Sequence, residues 1–287
     1  MPPTVRIATY SMLPNAETLP TRRPLIRAGI EQAAPDILCL QNVCFSSQAH
    51  DAMETLGPLT DPDLTVAIAS SSTPKPGQSP EGNAILTRHP VQRFGTWHLP
   101  GKSANGDNHC AVWAITVSPA GTHYMTVCTQ LACGAVESTR AAQLRHLVDN
   151  ITHVHKSYPH PLTTILAGDL NLTPAHDSYR WLSGQTATGN DTLWTDTYLA
   201  ANGAHPITST PANFWAAVGA NAGRAEPAQL PERTLDYIWV HGWAHGTDGY
   251  PTASALHWNT SDTEGSDRYG LVTDLYQSGC RQAGGRG

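Results

Sequence analysis

The chain has 287 residues, of which 40% are hydrophobic, enough to fill the core of one large domain or two small ones. Charged residues make up only 14%, against roughly 25% in an average soluble domain, and 24 glycines and 22 prolines argue for many short elements and against a helical bundle. The net charge is -6, and the 17 basic residues include only three lysines (Lys75, Lys102 and Lys156), so there is no basic stripe for capturing nucleic acid.

In chain order, β-type runs are predicted at Val5 to Tyr10, Ile37 to Gln41, Leu64 to Ala69, Ala84 to Thr87, Ala111 to Val117, Tyr124 to Gln130, Thr163 to Ala167, Leu235 to Val240 and Leu271 to Tyr276. Helical periodicity falls at Pro24 to Ala33, Ser47 to Leu56, Glu137 to His155, Ser178 to Leu182 and Leu193 to Ala201. The Glu137 helix is the clearest, with Leu144, Leu147, Val148 and Ile151 on one face. Segments 70–80 and 216–231 read as surface loops, and strands continue on both sides, so residues 1–277 are expected to form one domain and 278–287 a flexible tail. The interleaving predicts an α/β or α+β architecture with a largely antiparallel pair of sheets.

No apolar run approaches the roughly 20 residues of a membrane helix, and no signal peptide is evident, which makes a reducing cytoplasm the expected location. The six cysteines are then expected to be thiols, with no Cys/His spacing suited to zinc. The 14 histidines do not form a persuasive metal pair: His153 and His155 point different ways on a helix, and Gly242 and Gly246 argue against a helix at His241 and His245.

Polar residues gather at the ends of apolar strands, where a rigid strand meets an open loop: Ser11, Gln41-Asn42, Gly168-Asp169-Leu170-Asn171 and Ser266-Asp267-Arg268. Asp236 adds a carboxyl group at the start of another strand. These motifs, in this order from Val5 to Tyr276, resemble the endonuclease/exonuclease/phosphatase superfamily, which includes deoxyribonuclease I-like nucleases, inositol phosphatases and sphingomyelinases. The resemblance implies a four-layer α/β/β/α sandwich with its active site at one edge of two packed sheets.

It also implies roles for single positions. Asp169 and Asn171 match the polar pair of the family's Gly-Asp-Phe-Asn motif, Asp236 its Asp-Tyr-Ile strand, and Glu81, before Gly82-Asn-Ala-Ile-Leu-Thr-Arg88, the acid that orients a histidine. Four positions depart from the pattern. Ser11 stands for a metal-binding Asn, Asn42 for the principal Mg2+-binding Glu, Gln130 for a catalytic His, and Arg268 for the His that follows Asp267.

An amide at position 42 removes a full negative charge from the metal site, so Mg2+ or Mn2+ is disfavoured and no cofactor is expected; Asn42, Asp169 and Asp267 remain the only metal candidates. Arg268 and Gln130 cannot shuttle protons as imidazole does. The remodelled site is expected to use Asp169 as base, with Asn171, Glu81, Asp236 and Asp267 around it. Arg268 would clamp an anion with help from Gln130. Ser11, Asn42 and His109 are candidates to touch substrate. Three readings stay open: an enzyme of altered chemistry on a small metabolite, a metal-dependent phosphoester hydrolase, and an inactive binding protein. The expected partner is a small molecule, not nucleic acid or membrane, and the sequence leaves the oligomeric state open.

Overall fold

The computed structural model describes residues 4–13, 17–44, 63–71, 81–103, 106, 108–134, 137–186, 194–216, 232–241 and 248–278. Within them the chain runs β1 (Thr4–Ser11), α1 (Leu19–Ala33), β2 (Ile37–Cys44), β3 (Thr65–Ser71), β4 (Glu81–Thr87), β5 (Val91–His98), β6 (Cys110–Val117) and β7 (His123–Gln130). It continues with α2 (Glu137–Ser157), β8 (Thr163–Asp169), α3 (Asp177–Leu182), β9 (Thr195–Asp196), α4 (Thr197–Asn202), β10 (Asp236–His241), β11 (Pro251–His257) and β12 (Gly270–Tyr276).

The strands form two six-stranded sheets, ordered β11-β12-β1-β2-β4-β3 and β5-β6-β7-β8-β10-β9. Most neighbours are antiparallel; β1–β2 and β7–β8 are parallel, and each of these pairs is joined through a helix, as a parallel crossover requires.

Side chains alternate along each strand, and both faces are covered, which explains the near-continuous apolar runs in the sequence. Val5, Ile7, Ile37, Cys39 and Ile85 of the first sheet meet Val112, Cys128, Ile165, Ala167 and Ile238 of the second in the middle layer. The alternate residues Ala8, Leu38, Leu40 and Leu86 pack on Ile26 and Ile30 of α1. Ile115, Val127, Leu166 and Trp239 pack on Leu144, Leu147 and Ile151 of α2. The result is the four-layer α/β/β/α sandwich.

Strand β5 has a mostly exposed face and lies at a sheet edge, as does β11, so neither carries the alternation that marked the other strands. Helix α1 begins at Leu19 instead of Pro24: Pro20 falls in its first turn, where the missing amide needs no partner, and Pro24 lies inside the helix. The segment expected to be helical from Leu193 instead enters strand β9; Asp196 then caps α4 by accepting from the Tyr198 and Leu199 amides. The helix expected at Ser47 to Leu56 and the tail beyond residue 278 lie outside the described residues. No described helix is long and apolar enough to cross a membrane.

Because β1 and β2 run parallel, as do β7 and β8, their C-terminal ends emerge at shared sheet edges. The antiparallel β10 and β12 begin beside them: Asp236 pairs with Asp169, and Thr9 near the end of β1 pairs with Leu271 near the start of β12. This register, not proximity in sequence, is what assembles the polar cluster.

Candidate active site

Gly168 sets the turn that presents Asp169. Its φ is 145°, and a β-carbon there would sit 1.9 Å from the Thr129 carbonyl oxygen, so the approach of β8 to β7 admits no side chain. Asp169 follows at the strand end, fully buried, opposite Gln130 on one side and Asp236 on the other.

Each Asp169 oxygen has a different environment. Oδ1 accepts the Asn171 backbone N–H at 3.1 Å. Oδ2 accepts from Gln130 Nε2 at 3.3 Å and faces Arg268 Nη2 at 3.8 Å. Gln130 thus steadies the carboxylate through one of the two N–H groups of its amide. Asn171, at φ 49°, holds Asp169 through its backbone, while its side chain donates to the Leu131 carbonyl at 3.0 Å.

Asp236 is 1% exposed and sits against the Thr208 hydroxyl, whose Oγ1 accepts the Asp236 backbone N–H at 3.2 Å. Burial, and then the negative charge of Asp169, push its pKa well above the usual carboxylate range, with Arg268 opposing only in part. Arg268 shows the complementary effect: burial works against its charge, but Asp169, Asp267 and Asp236 overcome this and hold the guanidinium above its ordinary pKa. Its Nη1 donates to Ser209 Oγ at 2.6 Å, and its buried Nε has no acceptor among the described residues. Asp267, 8% exposed, accepts from Ser266 Oγ at 3.2 Å, and the same hydroxyl reaches the Ser11 carbonyl at 2.6 Å.

Asn42 and Ser11 form a neutral pair, with Asn42 Nδ2 donating to Ser11 Oγ at 2.9 Å. Asn42 has φ 55°, a left-handed conformation that Asn tolerates better than most residues. Glu81 opens β4 opposite Cys44. His109 is buried just before β6, its carbonyl accepting the Leu99 amide at 2.9 Å; the next carbonyl, that of Cys110, is held by Asn83 and Thr129. Asp169, Asp236, Gln130, Asn171, Asp267 and Arg268 therefore form one linked group, while Ser11 and Asn42 form a pair joined to it through Ser266. Ser209, Thr208 and Ser266 also belong to the site. Ser209 and Thr208 lie in a connecting loop that gives no periodic signal.

The family's metal site can be tested against these donors. A divalent ion such as Mg2+ seeks anionic oxygen. Here the Asn42 amide and Ser11 hydroxyl bond each other, and a guanidinium stands against Asp169. Among the described residues no group of three or more His, Cys, Asp or Glu side chains is placed to hold a metal. The donor set does not fit such an ion.

The profile of the endonuclease/exonuclease/phosphatase family matches residues 15–267. The chain belongs to this family. Solved structures agree on the fold. An endonuclease/exonuclease/phosphatase from Bacteroides vulgatus aligns over 96% of this chain and 100% of its own, with 19% identity and a TM-score of 0.69. The human Nocturnin catalytic domain with bound sulfate aligns over 96% and 94%, with 20% identity and a TM-score of 0.65. TDP2 from C. elegans aligns over 95% and 75%, with 16% identity and a TM-score of 0.67. No curated protein matches the sequence.

Proposed function

We propose that this family member acts on a small anionic metabolite through a metal-poor acid/base site, with Asp169 as base and Arg268 as anion clamp. The observation that carries this reading is the position of Arg268. It lies 3.8 Å from Asp169, amid three carboxyl groups, with a buried Nε that has no acceptor among the described residues. A fixed cation there supplies charge stabilisation without a bound ion.

For ester hydrolysis the steps are simple. A water oxygen bonds to the phosphorus or acyl carbon while its proton passes to Asp169 Oδ2. Negative charge gathering on the substrate oxygen is met by guanidinium N–H groups. The bond to the leaving oxygen breaks, and that oxygen takes a proton from solvent. Asp236, whose pKa burial and the Asp169 charge raise, lessens the negative charge that Asp169 and Asp267 already set against Arg268. The four described free thiols, Cys39, Cys110, Cys128 and Cys133, accord with a cytoplasmic setting.

A second reading, metal-dependent phosphoester hydrolysis, is favoured by the family match itself. One experiment separates the two: assay of the full chain on phosphomonoesters, phosphodiesters and carboxylic esters, in EDTA and in Mn2+. Turnover that survives EDTA and falls at least about a hundred-fold in Asp169→Asn supports the base and clamp. Turnover abolished by EDTA and restored by Mn2+ selects the second reading, and silence on all three classes argues for a binding protein.

A further inference from the structure

Ser209 touches Arg268 directly: its Oγ accepts the Nη1 N–H at 2.6 Å. A hydroxyl carries one proton and two lone pairs. The guanidinium engages a lone pair, so the Ser209 proton has to point elsewhere, since two donors do not face each other. Among the described residues no acceptor meets that proton, and Ser209 is only half-buried, which leaves its hydroxyl an open side. Ser209 Oγ is also, among the described residues, the only hydrogen-bond acceptor of the Arg268 side chain, with Asp169 standing off at 3.8 Å. Further guanidinium N–H groups therefore remain for a ligand.

The oxygen is held in place from both flanks. Ser209 exchanges backbone hydrogen bonds with Arg233 at 2.9 and 3.0 Å. The preceding residue, Thr208, is fully buried; its Oγ1 accepts the Leu235 and Asp236 amides at 3.0 and 3.2 Å, and its carbonyl accepts the Tyr269 amide at 2.9 Å. This strap ties the start of β10 to the residue that follows Arg268. A hydroxyl fixed in this way needs little reorganisation when charge arrives beside it.

We infer that Ser209 is a second anion donor of the site, its O–H meeting one oxygen of a bound oxyanion while an N–H of Arg268 meets another. This rests on the anion-clamp reading and adds to it the shape of the group recognised, one that carries two oxygens on one centre. The cation on the Ser209 oxygen strengthens the donor, because hydrogen bonds in a chain polarise one another.

The test is calorimetric titration of the full chain with inorganic phosphate, in EDTA, for the unaltered protein, Ser209→Ala and Ser209→Thr. Ser209→Ala is then repeated on Arg268→Lys, which keeps the positive charge. Ser209→Ala is expected to weaken binding about ten-fold, as loss of a hydrogen bond to a charged group does, and Ser209→Thr, which keeps the hydroxyl, to stay within about two-fold. On Arg268→Lys the Ser209→Ala change should still cost about three-fold or more. A loss that disappears there, or no binding left in Arg268→Lys to lose, would mean that Ser209 acts only by orienting the guanidinium, and would overturn the donor role. So would unchanged affinity in Ser209→Ala, or Ser209→Thr as weak as Ser209→Ala. Failure of phosphate to bind the unaltered protein would overturn the anion clamp itself, and the second donor with it.

Discussion

Asp169 and Asp236 are register partners on the antiparallel strands β8 and β10; both carboxyl groups are buried, and one guanidinium, Arg268, acts on both. Two adjacent buried carboxylates with one full charge-pair partner are not both ionised at low cost. Asp169 accepts from Gln130 and Asn171, and Asp236 is the member whose pKa burial and the neighbouring Asp169 raise.

This arrangement sets a pH dependence. In the unfolded chain the Asp236 carboxyl ionises near pH 3.9, whereas in the folded protein it keeps its proton to higher pH. Its contribution to stability is therefore full below the unfolded pKa and is lost as pH rises through the folded one. Asp236→Asn removes that loss. Urea unfolding should show the variant gaining on the unaltered protein as pH rises above the unfolded value of about 3.9; an offset that stays constant with pH would contradict the assignment.

Removing the cation should have the opposite sign. Arg268 is 13% exposed, and its loss would leave Asp169 and Asp267 without it. Breaking a buried pair by deleting one partner costs about 3 kcal/mol or more. Denaturant unfolding at pH 7 should find that loss for Arg268→Gln and a smaller one for Arg268→Lys, which keeps the charge but not the forked geometry.

The legible part of the site was the part written on regular strands. The apolar run into Gly168-Asp169 marked a strand end, and the final strand drew attention to Asp267-Arg268 just before it. The pairing of Asp169 with Asp236 was not legible, because a register spanning 67 residues leaves no periodic trace. The clamp on Arg268 was hidden for a similar reason: Ser209 sits in a loop whose conformation depends on Arg233 and Glu264, each distant in sequence. Edge strands β5 and β11 escaped because one exposed face erases the apolar signal.

Gly168 offers a test of local geometry. A β-carbon 1.9 Å from the Thr129 carbonyl cannot be relieved by rotating a side chain. Gly168→Ala should therefore cost at least about 3 kcal/mol by thermal or denaturant unfolding. Little change in stability would mean that β7 and β8 can part without cost.

The thiols should separate by position. Burial pushes Cys110 up to about 11 and Cys39 well above its usual value, while Cys133 is partly exposed near Arg140 and Arg268. Iodoacetamide at pH 8 on native protein, followed by peptide mapping, should label Cys133 ahead of Cys39, Cys110 and Cys128. Early labelling of Cys110 would contradict the packing between the sheets.

Most direct of all is a Mn2+ titration of the full chain by calorimetry, beside the double variant Asn42→Glu with Arg268→His. With a neutral Asn42–Ser11 pair and a guanidinium against Asp169, the unaltered protein should bind no Mn2+ tighter than about 1 mM. The variant, which restores a carboxylate and removes the cation, should bind at least about ten-fold more tightly. Micromolar Mn2+ affinity in the unaltered protein would contradict the account.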